Sequence, residues 1–313
     1  MFIVIPIGGT GERFKKNGYT KPKALINVLG KPIIFYLLDN LDMKGVEFIL
    51  IPYNKEYKKF RFEEQLCNNY PEINFKFICL QENTQGAAET INISLNTLLD
   101  SENKETSNIS TIPDMPVLCL DSDSFFSTNV VKIWNGENKI ITFKDVNDKP
   151  IYSYVKTNDN GVSKSSIADI VEKEKISNDA CSGAYGFSSY KQLFKYTQQI
   201  IDQNIRQKNE FYTSGVIKLM IESGIQFTNH TIDFNEWTCL GTPLHVLQFS
   251  NNYPKISCIT EKQEIKHLRI CFDLDNTLVS FPKIKGDYTT VEPIQENIDF
   301  LKYLKLFGHT III

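Results

Sequence analysis

A chain of 313 residues, 42% of them hydrophobic, can bury a large core in one or two domains and is not a disordered polypeptide. Its net charge of −3 leaves no electrostatic footprint for nucleic acid or an anionic membrane surface, and no apolar run is long enough to span a bilayer. The seven cysteines stand singly, mostly in apolar settings and with no CxxC pair, and the start Met1-Phe-Ile-Val-Ile5 has no secretory pattern. Reduced core thiols, no disulfide framework or zinc site, and a cytoplasmic location are the expectation.

Phe2 to Ile5 reads as an apolar strand that runs into Ile7-Gly-Gly-Thr-Gly-Glu-Arg-Phe14. Glycines let the backbone turn sharply and leave bare N–H groups facing a ligand. Arg13, Lys21 and Lys23 add positive charge beside those amides, the combination a triphosphate needs. The glycines alone would read more readily as an ordinary surface turn, since short glycine motifs recur by chance.

A first helix is expected from Pro32, with Ile33, Ile34, Leu37, Leu38 and Leu41 on its apolar face. Val46 to Ile51 reads as a strand, Asn54 as the cap of a helix reaching Asn68, and Phe75 to Leu80 as another strand. This alternation predicts an α/β fold with a mainly parallel sheet covered by helices on both faces. Ligands on such sheets lie beyond the carboxyl ends of the strands, where the glycine loop sits.

In Gln81 to Thr90, Thr84 is a candidate cap for a helix running from near Gly86 to Leu99. Gly86, Ala87 and Ala88 would admit a flat ring, with Gln81 or Gln85 bonding a base edge; close helix–sheet packing selects the same small residues. Asp100 to Asp114 reads as a polar surface excursion. The strand Val117 to Leu120 ends in Asp121-Ser-Asp123. Continued extended backbone would put both carboxylates on one side, suiting Mg2+ chelated by phosphates; paired turn or cap aspartates are the alternative.

Strands follow near Lys139 to Phe143, Ile151 to Lys156 and Ser166 to Glu172. Lys173 either reaches a phosphate or belongs to an exposed charge run, and Gly183 allows a close backbone approach. Helices are predicted over Tyr190 to Gln203 and Thr213 to Ser223, the second closed by Gly224, with a strand from Gln226 to Ile232. Trp237 to Pro243 reads as a turn into a helix with Thr242 as N-cap.

Taken in order, Gly8-Gly-Thr-Gly-Glu-Arg-Phe14, Pro22-Lys23, Gly30-Lys-Pro32, Gln85-Gly-Ala-Ala88, Ser122-Asp123, Glu172-Lys173, Gly183-Ala-Tyr185 and Gly241-Thr-Pro243 resemble the sugar-phosphate nucleotidyltransferases across residues 1–250. The resemblance implies a Rossmann-like α/β domain and Mg2+-dependent formation of an NDP-sugar or NDP-polyol and pyrophosphate. The substrates would be an NTP and a sugar or polyol phosphate, in the service of surface polysaccharide or glycan precursors. It implies that Gly8, Gly9, Thr10, Gly11 and Arg13 hold the triphosphate, and that Lys23 contacts phosphates at the reacting centre. Gln81, Gln85 and Gly86 would face the base. Asp123, with Asp121, would ligate Mg2+, and Glu172, Lys173 and Gly183 would face the sugar phosphate. Arg13, Lys23, Asp123 and Lys173 are the implied catalytic set. Many relatives carry a second metal-binding Asp where this chain has Cys239, a poor Mg2+ ligand; Asp233 or Glu236 could replace it.

Asp121-Ser-Asp123 also matches the metal motif of nucleotide-sugar-dependent glycosyltransferases, although those bind a diphosphate and need no triphosphate cradle. Cys239 makes a non-catalytic nucleotide-sugar sensor the third reading. A homo-oligomer is compatible with the sequence.

Residues 251–267 read as a linker to a separate segment, 268–313. There an apolar strand ends in Asp273-Leu-Asp-Asn-Thr277, which resembles the first motif of haloacid-dehalogenase-like phosphatases. That resemblance implies Asp273 as nucleophile, Asp275 as general acid/base and Thr277 in support. A helix over Glu292 to Phe307, ended by Gly308, and a strand His309 to Ile313 would follow. The segment lacks the later motifs of such enzymes, so the expectation is a truncated phosphatase unit without phosphatase activity.

Overall fold

The computed structural model describes residues 1–104, 113–158, 166–256, 268–306 and 309–313. The chain divides into two compact units, Met1–Asn252 and Tyr253–Ile313. In the first, β1 (Phe2–Val4) runs through the glycine loop into α1 (Glu12–Lys15). A turn at Lys23–Leu25, the small hairpin β2 (Asn27–Val28) and β3 (Lys31–Pro32), and α2 (Ile33–Leu38) follow. Next come β4 (Ile49–Asn54), α3 (Phe62–Asn69), β5 (Phe75–Leu80), α4 (Ala87–Lys104) and β6 (Val117–Leu120). Beyond these lie β7 (Ser124–Phe126), α5 (Val130–Trp134), β8 (Lys139–Lys144), β9 (Ser153–Thr157), β10 (Ile167–Glu172) and β11 (Asp179–Phe187). The unit closes with α6 (Tyr190–Asp202), α7 (Thr213–Glu222), β12 (Thr228–Ile232), β13 (Trp237–Cys239) and α8 (Pro243–Ile256).

Among the described residues these strands build a nine-stranded sheet, β10-β9-β11-β6-β1-β4-β5 side by side, with β8 attached to β11 and β12 to β8. β6, β1, β4 and β5 are parallel, with Ile3 opposite both Ile49 and Leu118. β11 joins them antiparallel, Tyr185 opposite Cys119. This is the expected α/β arrangement, a mainly parallel central sheet between helices. Alternation along β1 sends Phe2 and Val4 into a core with Ala88, Ile91, Leu95 and Tyr190. Ile3 and Ile5 enter the opposite core with Ile34, Leu37, Tyr57 and Trp134. A strand buried on both faces has no polar register, which is why it reads as a continuous apolar run.

Several elements depart from the sequence expectation. β4 begins three positions later than Val46 because Val46 N–H bonds the Met43 carbonyl in a turn, and it continues through buried Pro52 and Tyr53. Asn54 does cap, accepting from Glu56 N–H at 3.0 Å, but the capped segment is a 3-10 turn that stops at Arg61, φ 51°. Thr84 is no cap: its hydroxyl pairs with Thr90 Oγ1 at 2.6 Å. Extended backbone ends at Leu120, and Ser124 N–H bonds the Asp121 carbonyl at 3.1 Å. Asp121 and Asp123 therefore flank a turn instead of sharing one side of a strand. Trp237 to Cys239 is a strand, paired antiparallel with β7, and not a turn. Of the expected polar excursion at 100–114, the first part continues α4 to Lys104, and 105–112 lie outside the described residues.

In the second unit, β14 (Arg269–Cys271) pairs parallel with β15 (Thr310–Ile312), and α9 (Gln295–Leu306) lies between them in sequence. α9 starts later than Glu292 because Ile294 N–H bonds the Leu278 carbonyl, holding the preceding residues against that loop. Most of the expected linker, 257–267, and the expected helix end at Gly308 lie outside the described residues. Among the described residues no helix is long and apolar enough to cross a membrane, and Cys67, Cys79, Cys119, Cys181, Cys239 and Cys271 are free.

Candidate active site

The opening loop is built by contacts that leave room for little but backbone. A Cβ on Gly8 would strike the hydroxyls of Thr84 and Thr90, so α4 packs directly on the loop. Gly11 adopts the left-handed conformation, φ 69°, as the residue before α1. A Cβ on Gly9 would meet nothing within 4 Å, so its backbone borders open space. Thr10 and Arg13 are accessible around it.

Lys23 opens the 3-10 turn that follows Pro22, whose Ala24 N–H donates to the buried Tyr57 hydroxyl at 3.1 Å. From there its Nζ reaches Asp123 Oδ2 at 2.6 Å. Burial would lower the Lys23 pKa, but Asp123 beside it outweighs this, so the amine is held charged. Asp123 is anchored in turn by its carbonyl, which accepts Leu240 N–H at 2.8 Å. Gly241 packs so closely on the Asp123 carboxylate that any Cβ there would collide with it.

Cys239, which the sequence reading set in place of a second metal-binding Asp, lies beside Asp123. Its Sγ accepts Gly241 N–H at 3.3 Å, and burial, with Asp123 nearby, pushes the thiol pKa up to about 12. It is a neutral thiol. Asp233 and Glu236 do not replace it: they close a capping box on each other at the turn Phe234–Glu236.

Behind this centre lies a cavity of about 160 Å3, bordered by Asp121, Glu172, Tyr152, Tyr185 and Tyr212. Gly183, φ 85°, places its backbone so that a Cβ would come within 2.7 Å of Asp121 Oδ2 and Ser124 Oγ. Burial, with Asp123 and Glu172 adding to it and Lys23 opposing, pushes the Asp121 carboxyl up to about 7. Glu172 is buried and accepts hydrogen bonds from Ser153 and Ser214. Lys173, in the left-handed conformation at φ 52°, donates to the Tyr212 hydroxyl at 2.6 Å and lies 3.7 Å from Glu172 Oε1. The structure thus brings together Asp121, Glu172, Lys173 and Gly183 on one side, and Lys23 and Asp123 on the other.

The loop after β5 presents less. Gln81 is exposed, and its side chain turns back to the Cys79 carbonyl at 3.4 Å. Gln85 Oε1 accepts from Arg206 at 2.6 Å, and Arg206 stacks over Phe211 at 4.1 Å. Gly86, φ 146°, lies against the Phe211 backbone, where any Cβ would clash. Close packing is therefore one reason for this glycine.

Three residues here escape sequence reasoning. Tyr212 precedes α7, and only the end of that helix hints at it. Arg206 comes from an irregular stretch with no pattern. His245 sits in the first turn of α8, its N–H bonded to the N-cap Thr242 hydroxyl at 3.1 Å as the Thr242-Pro243 start predicts. Its Nδ1 is buried without a partner among the described residues. Burial lowers its pKa, Asp123 opposes and Arg13 and Lys23 reinforce, so a neutral imidazole stands near the charged pair.

In the second unit, Asp273 follows β14 with its carboxylate accepting Leu274 N–H at 2.9 Å, and Asn276 turns the chain at φ 54°. Asp275 bridges to Val279, and the Thr277 carbonyl accepts from Asn297 at 2.7 Å.

Comparison with known proteins places the geometry in context. The chain is 26% identical over 258 residues to a bifunctional sugar-1-phosphate nucleotidylyltransferase/acetyltransferase of Sulfurisphaera tokodaii, a match covering 79% of this chain and 54% of that protein. The chain thus spans about half the length of that relative. A nucleoside-diphosphate-sugar pyrophosphorylase from Vibrio cholerae superposes with a TM-score of 0.68 at 19% identity, covering 80% of this chain and 100% of that one. The inositol-1-phosphate CTP transferase of T. maritima superposes with a TM-score of 0.60 at 14% identity, covering 83% and 97%. At these identities the structures establish the shared fold. The model of the nucleotidyl transferase family matches residues 3–256, and the chain belongs to that family.

Proposed function

We propose that the chain transfers a nucleotidyl group from an NTP to a phosphate monoester of a sugar or polyol. The observation that carries this is the Lys23–Asp123 pair at 2.6 Å, set between the glycine loop and the cavity bordered by Asp121 and Glu172. A phosphate oxygen of the acceptor attacks the α-phosphorus of the NTP. The bond from that phosphorus to the bridging oxygen breaks, and pyrophosphate leaves with the electron pair. No protein nucleophile is needed. The chain must hold two anions in line and offset their repulsion.

Gly8, Gly9, Thr10 and Gly11 offer backbone donors to the triphosphate, and Arg13 adds charge. Lys23 sits where the α-phosphate would be attacked. Gln81, Gln85 and Gly86 border the base. Lys173 orients the acceptor's phosphate, with Glu172 and Gly183 bordering the rest of that molecule.

Mg2+ fits this donor set in one manner. Among the described residues no group of three or more His, Cys, Asp or Glu side chains could hold a metal ion, and Cys239 is a neutral thiol. Mg2+ bound to phosphates needs only one or two carboxylates, and Asp123 supplies one. Asp121, the second ligand expected from sequence, borders the cavity. When bound, the ion would neutralise phosphate charge. For the second unit we propose a likeness to the first motif of haloacid-dehalogenase-like phosphatases, supported by Asp273 and Asp275 beyond β14.

The test is a pyrophosphate-release matrix of four NTPs against a panel of sugar and polyol phosphates with Mg2+. At least one pair should turn over, and Lys23→Ala should reduce its kcat/KM by about 100-fold or more. Activity surviving largely intact in Lys23→Ala would refute the assigned site.

A further inference from the structure

Between α6 and α7, Gln207 and Glu210 exchange backbone hydrogen bonds at 3.1 and 2.9 Å across a two-residue turn. Its central residues, Lys208 and Asn209, both stand at positive φ, 46° and 67°. Mirror-image hairpin turns require that conformation and favour glycine in it. Asn204, at φ 50°, is a third such position in the same stretch. Strain of this kind persists where the surrounding contacts over-determine it. Here they converge on one side chain. Arg206 Nε donates to Asn204 Oδ1 at 2.7 Å, Nη1 to the Asn209 carbonyl at 3.2 Å and Nη2 to Gln85 Oε1 at 2.6 Å. Its guanidinium also lies over the Phe211 ring at 4.1 Å.

Gln85 is thereby engaged at every polar group but one. Its N–H donates to Glu89, its carbonyl accepts Phe211 N–H at 2.9 Å, and its side-chain oxygen is taken by Arg206. A guanidinium is always charged and carries donors but no acceptor. It admits the amide oxygen and repels the amide NH2, so the exposed Gln85 side chain is held in one orientation. Nε2, without a partner among the described residues, is the group left to meet a ligand.

A free glutamine amide can turn either its donor or its acceptor to a base. One held by its oxygen offers only N–H. That N–H suits a keto oxygen, as in uracil, thymine or guanine, and opposes the amino group of cytosine or adenine, donor against donor. We propose that Arg206 is a positioning residue that sets nucleotide choice: by fixing the Gln85 amide it selects an NTP whose base carries a keto oxygen over one with an amino group in that place. Pyrimidines and purines share this chemistry. The inference rests on the nucleotidyl-transfer reading, with Gln85 at the base, and narrows its nucleotide.

Two matched pairs test it on the full chain, UTP against CTP and ITP against ATP, with the panel of sugar and polyol phosphates and pyrophosphate release as readout. The keto member of at least one pair should be preferred in kcat/KM by about tenfold or more, and the responding pair tells pyrimidine from purine. Arg206→Ala frees the amide and should bring that preference to within about twofold. Gln85→Glu offers the base an oxygen instead and should shift the ratio by about tenfold toward the amino member. A role confined to holding the loop would weaken both members alike. A ratio unmoved in either variant, or a wild-type chain without keto preference, overturns the inference and leaves nucleotidyl transfer standing. If Arg206→Ala does not fold, Gln85→Glu and the wild-type comparison still decide.

Silence across all nucleotides and acceptors sinks the nucleotidyl-transfer reading, and calorimetric titration with the same four nucleotides then decides the base contact separately. Tighter binding of UTP than CTP, or of ITP than ATP, upholds it when Arg206→Ala removes the difference. A difference that survives in Arg206→Ala, equal binding, or none, overturns it.

Discussion

Asp123 is restrained from three directions: Lys23 on its carboxylate, Leu240 N–H on its carbonyl, and Gly241 against its side chain. Asp121, two residues earlier, is held through its backbone, its N–H bonded to the Gly183 carbonyl at 2.8 Å and its carbonyl accepting Ser124 N–H at 3.1 Å. Identical chemistry two positions apart is thereby split between a carboxylate tethered to Lys23 and a carboxyl that burial pushes up to about 7. Asp145, which is buried, illustrates the opposite balance. Burial would raise the pKa of Asp145, but hydrogen bonds from Tyr154 at 2.6 Å and from Asn147 N–H and Nδ2 overcome it, with Lys175 adding, and the net shift is downward. A carboxyl whose folded pKa lies below its unfolded value contributes stability above the unfolded pKa and loses it as pH falls through the folded one. Asp145→Asn should therefore cost about 1–3 kcal/mol in denaturant unfolding at pH 7. The deficit should close as the pH falls below about 4, and a deficit independent of pH would contradict this account.

Among the elements, the loop between β5 and α4, the proposed border of the base, shows how a short segment can be held by distant parts. Phe211 N–H bonds the Gln85 carbonyl at 2.9 Å, and Ala88 N–H bonds the Phe211 carbonyl at 2.9 Å, with Gly86 pressed between. Gly86→Ala forces a methyl into that backbone from a φ that L-residues rarely adopt. It should raise KM for the NTP several-fold, by about 1–2 kcal/mol of ground-state binding, with a smaller change in kcat. A fall in kcat at constant KM would place the loop elsewhere. The strands β1, β5, β6 and β8 and the helices α6 and α7 were readable because each carries a long apolar or periodic signal. The failures share a cause as well. The turn after Leu120, the break at Arg61 and the β7–β13 pairing depend on partners remote in sequence. So do the cavity walls contributed by Tyr212 and Ser214. A local pattern can announce Glu172-Lys173, but not which hydroxyls fix Glu172 in place.

In the whole chain, the two units differ in what holds them together. The first surrounds its sheet with two buried cores. In the second, Leu278 is the buried apolar side chain among the described residues, and its β14–β15 pair presents exposed or half-exposed side chains. The first unit's β7–β13 pairing sets Ser124 opposite Cys239 and joins Asp123 to Leu240. Those strands are separated by most of the later sheet, so the chain must close a long loop before they meet. In kinetic terms, the reacting centre should mature late. Local helices and the β1–β4–β5 layer can form first, while contacts of high sequence separation come slowly. On dilution from denaturant, far-ultraviolet ellipticity should therefore return before pyrophosphate release does. Simultaneous recovery would mean instead that this distant clasp belongs to the folding nucleus, and that the centre is among the first parts of the chain to form.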